Sequence, residues 1–183
     1  MGWLSLATIV LVCVGCASLT PAEEESLAEV QAFTDVTARA YKLSPVQVAV
    51  SDSPVAWPGH GLIRVTRETL TAPLPIRDVA IAILLGFQVV QPPKPMSEPH
   101  EVEINRRVYP QSNEVAVDIL ASVKGLPQGI AVKGVYAYLA GVAQGVAEKR
   151  LSPAPRIPHP CEQIRAFILR FPEYRLDNPR WCP

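Results

Sequence analysis

The side chains of this 183-residue chain best suited to bind a metal or move a proton at neutral pH are three histidines, His60, His100 and His159. His100 and Glu101 begin the run HEVEI, which matches the start of the zinc-binding motif HExxH, but Ile104 stands where the second histidine would be. No serine lies in the GxSxG context of a nucleophile. We therefore expect His60 in an exposed turn, His159 capping or packing against the last helix, and no metal site shared by the three.

Another reactive group lies near the N-terminus. Residues 4–14 are apolar and too short to span a bilayer comfortably, and small residues surround Cys16 after them. This pattern resembles the lipobox of bacterial lipoproteins, in which the cysteine is acylated after signal cleavage. The resemblance implies a lipid anchor at Cys16, on the outer membrane and facing the periplasm. An ordinary cleaved signal or a short membrane anchor would have the same apolar run.

Cys161 and Cys182 are the cysteines of the C-terminal part. In an exported chain, two remaining cysteines favour a disulfide. The bond would close a loop of about 20 residues, which stabilises a fold by roughly 3 kcal/mol. A metal-binding pair and two free thiols are the alternatives.

The charge of the chain argues against one class of partner. Its 17 basic and 17 acidic residues give a formal net charge of zero, and they form no basic run. Such a chain has no strong field to attract nucleic acid, so we expect no nucleic-acid binding.

Periodic patterns predict the elements that must hold these side chains. Apolar residues recur at helical spacing from about residue 27 to 42, and residues 46–50 and 62–66 have the character of strands that could form a hairpin. A short helix or turn follows at 68–74. Residues 79–90 are apolar on every face, which predicts a buried helix with Asp78 as its N-cap.

Prolines divide the second half of the chain. A proline-rich loop at 92–99 is followed by a helix over 101–108, which is interrupted or kinked at Pro110 and continues over 112–124. Further helices are predicted at 128–148 and 160–171, with a second proline-rich loop at 151–160 between them. These elements predict an α+β, mostly helical single domain.

Four of these segments, in order, resemble the gluzincin metallopeptidases of the HtpX, BepA and CAAX-prenyl-protease group. Residues 53–70 (SPVAWPGHGLIRVTRETL) are similar to the family's strand pattern NAFAxPGGxIxVTxGLL, and residues 78–90 (DVAIAILLGFQVV) lie where the family has DELAxVLAHExGHV. Residues 106–127 (RRVYPQSNEVAVDILASVKGLP) parallel RxxEYEADRLGVELLARAGYDP, and residues 159–168 (HPCEQIRAFI) resemble HPxxxERIxxL. The resemblance implies a zincin-like fold with a small β-hairpin or sheet.

Each metal-binding position of that family is replaced in this chain. A gluzincin holds Zn²⁺ with two histidines and a later glutamate, and a glutamate beside the first histidine acts as general base. By the resemblance, Leu84 falls on the first histidine, Leu85 on the base, Gln88 on the second histidine, Tyr109 on the third ligand and Asn113 on an aspartate that follows it. The resemblance therefore implies no catalytic residue, no metal and no cofactor, and a former active site converted into core.

Peptide binding is the family property that this chain could retain. In the family, the strand matching residues 62–66 pairs with substrate as an added β-strand, which implies binding through Leu62, Arg64 and Thr66, flanked by Trp57 and His60. We expect a non-catalytic envelope lipoprotein that binds a protein or peptide. An active metallopeptidase with an unrecognised metal site and a purely structural lipoprotein are the alternatives.

The predicted organisation has four parts. They are a lipoprotein-type signal peptide (1–15), a tether (16–26), the metallopeptidase-like domain (27–172) and a C-terminal tail (173–183).

Overall fold

Helices make up most of the fold, as predicted. The computed structural model describes residues 18–51, 61–90, 97–152 and 155–182. In chain order these residues form α1 (Pro21–Ala40), β1 (Gln47–Val50), β2 (Leu62–Val65), α2 (Arg67–Thr71), α3 (Leu74–Val90), α4 (Glu98–Ser122), α5 (Gln128–Ala147), α6 (Pro160–Arg170) and a 3-10 helix (Pro172–Tyr174). The architecture is mostly helical with a small two-stranded sheet, which confirms the α+β, mostly helical part of the predicted fold class.

The helix α3 lies at the centre of the core. It packs against α1, α2, α4, α5 and β2, and most of its side chains are buried. A helix that is apolar on every face is stable in water only when other elements cover it on several sides. The prediction of a buried helix is confirmed.

The start of α3 differs from the prediction. The helix begins at Leu74, because the Pro73 carbonyl accepts hydrogen bonds from the N–H groups of Ile76 and Arg77 at 2.9 and 3.0 Å. Asp78 therefore lies inside the helix, so its assignment as N-cap is wrong. Its carboxylate instead accepts a hydrogen bond from the Lys124 ammonium at 2.9 Å.

The strands β1 and β2 are parallel, so the predicted hairpin is wrong. The register pairs Gln47 with Leu62 and Val50 with Val65, and the Gln47 N–H donates to the Gly61 carbonyl at 2.9 Å. Antiparallel strands can be joined by two residues, whereas parallel strands need a much longer connection. The segment 51–61 is long enough to return the chain to the start of the neighbouring strand.

The first helix begins earlier than predicted. The Thr20 hydroxyl accepts a hydrogen bond from the Glu23 N–H at 3.3 Å, and the Glu23 carboxylate accepts one from the Thr20 N–H at 2.7 Å. This reciprocal capping box starts α1 at Pro21. The predicted tether over 16–26 is therefore wrong from Pro21 onward, because its acidic residues form the first turns of a helix.

The helix α4 continues through Pro110 without interruption. Proline removes one helical hydrogen bond and clashes with the preceding turn, at a cost of about 3 kcal/mol. Contacts with α3 flank the proline on both sides: the Tyr109 ring packs on Phe87, and Ser112 lies against Gly86. Packing on α3 offsets the cost, so the predicted interruption is absent.

The C-terminal segment is fixed to α6. Cys161 and Cys182 form a disulfide with Cα atoms 5.3 Å apart, which confirms the predicted bond. Both cysteines are buried, and the Asn178 side chain donates to the Cys182 carbonyl at 2.7 Å. The predicted tail is therefore held against the last helix by a covalent bond and by packing.

Among the described residues, α5 alone is long and apolar enough to cross a bilayer, by length and composition only. It packs against α3, α4 and α6. Its buried residues include Val132, Val135 and Leu139, which belong to the common core.

Candidate functional site

Five positions that the sequence resemblance assigned to an active site come together on the helix pair α3–α4. The two backbones touch at Gly86 and Ser112, where a Cβ atom added to the glycine would lie 2.3 Å from the Ser112 carbonyl oxygen. The five positions lie within about a helical turn of this contact, and they are Leu84, Leu85, Gln88, Tyr109 and Asn113.

Three of the five positions are filled by apolar or aromatic packing. Leu85 is completely buried and Leu84 is partly buried against the core. The Tyr109 ring packs edge-on against Phe87, with ring centroids 4.5 Å apart. Burial, and to a lesser degree the charge of Glu101, raises the pKa of Tyr109 well above its usual range, so its phenol stays protonated.

Gln88 uses its carboxamide to hold the start of β2. Its Oε1 accepts a hydrogen bond from the Gly61 N–H at 3.1 Å, and its Nε2 donates one to the Leu62 carbonyl at 3.2 Å. The side chain is 7% exposed. Where the sequence resemblance placed a metal ligand, this chain therefore has an amide that binds a strand backbone.

Asn113 is completely buried between α4 and α6. Its Nδ2 donates to Gln163 Oε1 at 3.4 Å, and Gln163 in turn donates to the Pro158 carbonyl at 2.9 Å. The Oδ1 atom of Asn113 is buried without a hydrogen-bond partner among the described residues. The polar groups of this region thus link helices and loops to one another.

The five residues do not fit a zinc ion. Leucine has no donor atom, and the amide groups of Gln88 and Asn113 are weak zinc ligands compared with histidine, cysteine and carboxylate. The Gln88 amide is also already hydrogen-bonded to β2. Across the described residues, no group of three histidine, cysteine or acidic side chains is placed to hold a metal ion.

The predicted peptide-binding strand is only partly an open edge. Gly61, Ile63 and Val65 face β1, since the ladder starts at the Gly61 carbonyl and ends with Ser51 N–H donating to the Val65 carbonyl at 2.8 Å. In a parallel ladder, every second residue bonds to the neighbouring strand, and the residues between them direct their N–H and C=O groups to the opposite side. Arg64 therefore directs both groups away from β1, and no described residue binds them.

The other predicted residues of this site have different roles. The Leu62 carbonyl is bound by Gln88, and the Thr66 hydroxyl caps α2 by accepting from the Thr69 N–H at 3.2 Å. Trp57 and His60 lie outside the described residues, as does the predicted lipidation site Cys16. Arg64, whose side chain is exposed, remains as the open position of the strand.

The start of the opposite edge of the sheet is covered by a glutamine. The Gln31 side chain, on α1, donates to the Val46 carbonyl and accepts from the Val48 N–H, both at 2.9 Å. Its amide thus takes the place of a neighbouring strand. By the same ladder geometry Val50, at the end of β1, also directs its N–H and C=O outward, so among the described residues Arg64 is one open position of this sheet and Val50 is another.

Two of the predicted histidines are described. His159 caps α6 by accepting a hydrogen bond from the Cys161 N–H at 3.3 Å, which confirms its predicted capping role. His100 lies in the first turn of α4, where its N–H donates to the Ser97 hydroxyl at 3.4 Å.

A groove that the sequence did not predict lies between α1, the start of α3 and the end of α4. Its volume is about 430 Å³. Four charged side chains line it together with apolar ones, and they are Glu29, Arg77, Asp78 and Lys124. These residues come from three separate segments, and no motif joins them in the sequence.

No family model, curated protein or solved structure matches this chain.

Proposed function

We propose that this protein is a non-catalytic domain that binds a peptide or a protein segment along β2, with a metallopeptidase-like architecture and no metal. In this proposal a lipid at Cys16 holds it on the outer membrane, facing the periplasm. The resemblance of the four sequence segments is the basis for the family, and the apolar start with Cys16 is the basis for the anchor.

The open backbone of Arg64 is the observation that carries the binding proposal. An extended peptide that lies beside β2 can exchange two hydrogen bonds with the Arg64 N–H and C=O, as in β-strand addition. The Gln88 amide occupies the Leu62 carbonyl, so the added strand would pair with β2 at Arg64. Gln31 covers the first part of the outer edge of β1, at the Val46 carbonyl and the Val48 N–H.

The packing of α3 and α4 supports a role without catalysis. A catalytic zinc site needs three protein ligands and an open position for water. Leu85 is completely buried, and Gln88 and Asn113 bind other parts of the chain. Metal analysis of the purified protein tests this part of the proposal: stoichiometric zinc, with a peptidase activity that is lost on chelation, would overturn it.

A proline at Arg64 tests the peptide-binding edge. The Arg64 N–H makes no bond to β1, and proline is tolerated at the outward-facing positions of an edge strand. Arg64→Pro should therefore fold, while it removes the donor that an added strand would use. We expect it to lose binding to eight-residue peptides selected on the wild-type protein from a random display library.

Arg64→Ala is the matched control for this experiment. It removes the side chain but keeps the backbone N–H, so it should retain most of the binding. Thermal unfolding of both variants would verify that they fold. If Arg64→Pro binds the selected peptides as tightly as the wild type, β2 is not the binding edge.

A further inference from the structure

The guanidinium of Arg77 is only partly satisfied. Arg77 is 5% exposed and donates from Nη2 to Glu29 Oε2, whereas its Nε is buried and has no hydrogen-bond partner among the described residues. The Nε–H and Nη2–H groups form one edge of the guanidinium, which matches the two oxygens of a carboxylate. Glu29 therefore accepts only one of the two hydrogen bonds that this edge of the guanidinium can donate.

Glu29 is poorly placed to be a permanent partner. Its side chain is 56% exposed, while that of Arg77 is 6% exposed. An exposed carboxylate returns to water at little cost, because most surface ion pairs contribute little to stability. A buried guanidinium, in contrast, needs a counter-charge at all times. Another carboxylate can therefore replace Glu29 on Arg77.

The groove beside Arg77 provides apolar surface for such a ligand. Phe33, Val36 and Leu74 line it, and Val36 and Leu74 are 44% and 58% exposed. Arg77 lies in the first turn of α3, which contains no acidic residue. The positive end of the helix dipole therefore adds to the attraction for an anion.

We propose that this groove binds the C-terminal carboxylate of a peptide whose last side chain is large and apolar. In the free protein, the Glu29 carboxylate occupies the position of the peptide carboxylate. The carboxylate pairs with the Nε and Nη2 of Arg77, and the last side chain packs on Phe33 and Leu74. The site goes beyond the strand-edge function, since no residue of β1 or β2 lines it.

The second ion pair of the groove favours a peptide over a long acyl chain. Lys124 Nζ lies 4.4 Å from the centre of the Phe33 ring and 2.9 Å from the Asp78 carboxylate. The pair provides a donor and an acceptor for the amide groups of a peptide backbone. An acyl chain would cover this ion pair without forming hydrogen bonds to it, and the lost hydration costs affinity. The volume of about 430 Å³ lies within the usual range of small-ligand sites.

Fluorescence anisotropy with a labelled hexapeptide tests the proposal. The peptide ends in Val-Leu with a free carboxylate, and the same peptide with a terminal amide is the comparison. We expect the carboxylate form to bind wild-type protein at least about ten times more tightly, because the amide loses a charge-assisted, two-point contact. Glu29→Gln should strengthen binding of the carboxylate form by about tenfold, since it removes the internal competitor.

Two exposed residues at the start of α3 provide a matched pair of variants. Leu74 lines the groove and Ile76 does not, and both are more than half exposed. Leu74→Gln should weaken binding of the carboxylate peptide about fivefold through lost apolar contact. Ile76→Gln should bind like the wild type. Both substitutions lie on the surface, so both proteins should fold.

Several results would overturn the proposal. They are equal binding of the carboxylate and amide peptides, no gain in Glu29→Gln, and binding of a sixteen-carbon fatty acid in place of the peptide. A dimer that the Leu74 variant abolishes, without peptide binding, would assign the groove to a second copy and overturn it as well. The Arg64→Pro variant should bind this peptide like the wild type. Failure at the groove is therefore distinguishable from failure at the strand edge.

Discussion

Gly86 determines how closely α3 and α4 approach each other. The backbone of Ser112 occupies the space that a side chain at this position would need. Around this contact, Leu85 and Asn113 are completely buried and Tyr109 packs on Phe87. A single hydrogen atom in place of a methyl group thus allows the tightest part of the core to form.

Gly86→Ala should therefore destabilise the fold. A methyl group 2.3 Å from the Ser112 carbonyl oxygen forces the two helices apart, and overpacking of a dense core costs about 3 kcal/mol. Urea unfolding followed by circular dichroism measures the change. Gly141→Ala is the control, because a Cβ atom there meets nothing within 4 Å. In that helical position alanine should stabilise by about 0.5–1 kcal/mol, and a loss of similar size in both variants would contradict the explanation.

Tyr109 should make the fold sensitive to alkaline pH. In the unfolded chain its phenol titrates near pH 10, whereas burial raises the pKa in the folded protein. Above about pH 10 the unfolded state therefore binds fewer protons than the folded state, and the free energy of unfolding falls as the pH rises. Tyr109→Phe removes this contribution.

Urea unfolding at pH 8 and at about pH 10.5, on either side of the tyrosine pKa, measures the effect. The loss of stability between the two values should be smaller in Tyr109→Phe than in the wild type. Tyr136 is a useful control. Its hydroxyl lies at the surface, where it donates to the Asp177 carbonyl, so Tyr136→Phe should change the loss less than Tyr109→Phe does. Equal losses in the wild type and Tyr109→Phe would contradict the prediction.

At the scale of elements, the two-stranded sheet depends on side chains for its outer bonds. An isolated pair of strands is at best marginally stable in water. Gln31 supplies the partner that β1 lacks, and Gln88 does the same at the start of β2. The sheet is thus fastened to α1 on one side and to α3 on the other.

Gln31→Ala should loosen β1. The Val46 carbonyl and the Val48 N–H would lose their partner, at a cost of about 1–2 kcal/mol in the free energy of unfolding. Hydrogen exchange at Val48 should also become faster. Gln144→Ala removes an exposed amide that bonds only along its own helix, to Glu148, and should cost at most about 0.5 kcal/mol. Similar effects of the two substitutions would argue against a special role for Gln31.

The sequence predicted elements better than it predicted how they pair. Helical periodicity located α1, α3, α5 and α6, because each has a long apolar pattern. Strand direction depends on the path of the connecting segment, which no local pattern contains, and the hairpin was wrong for that reason. The groove at Arg77 was missed because residues far apart in the chain form it.

At the scale of the whole molecule, a covalent bond joins the two ends of the C-terminal region. The disulfide links α6 to the last described residue, and the Phe171 ring after α6 packs against the rings of Phe167 and Tyr174. The terminal segment has little other regular structure after Tyr174. The bond therefore decides whether this segment covers the core.

Reduction of the disulfide should lower the stability of the whole domain. The cysteines are 21 positions apart, and closing a loop of this size contributes about 3 kcal/mol in the chain-entropy model. The comparison is urea unfolding with and without a thiol reductant. The Cys161→Ala, Cys182→Ala double variant should resemble the reduced wild type and should not respond to reductant. A wild type that is equally stable in both conditions would contradict the prediction.

The capping box at Thr20 also limits how far the domain can lie from the proposed lipid anchor at Cys16. Arg67 binds both Glu23 and the Ser18 carbonyl, so the body of the fold holds the chain almost up to Cys16. Ser18 lies two positions after Cys16, and two fully extended residues span at most ~7 Å. A domain carried by a lipid at Cys16, as we propose, would diffuse in two dimensions within a thin layer above the bilayer. Its effective concentration for partners at the membrane surface would be high, and it would not reach partners deeper in the periplasm.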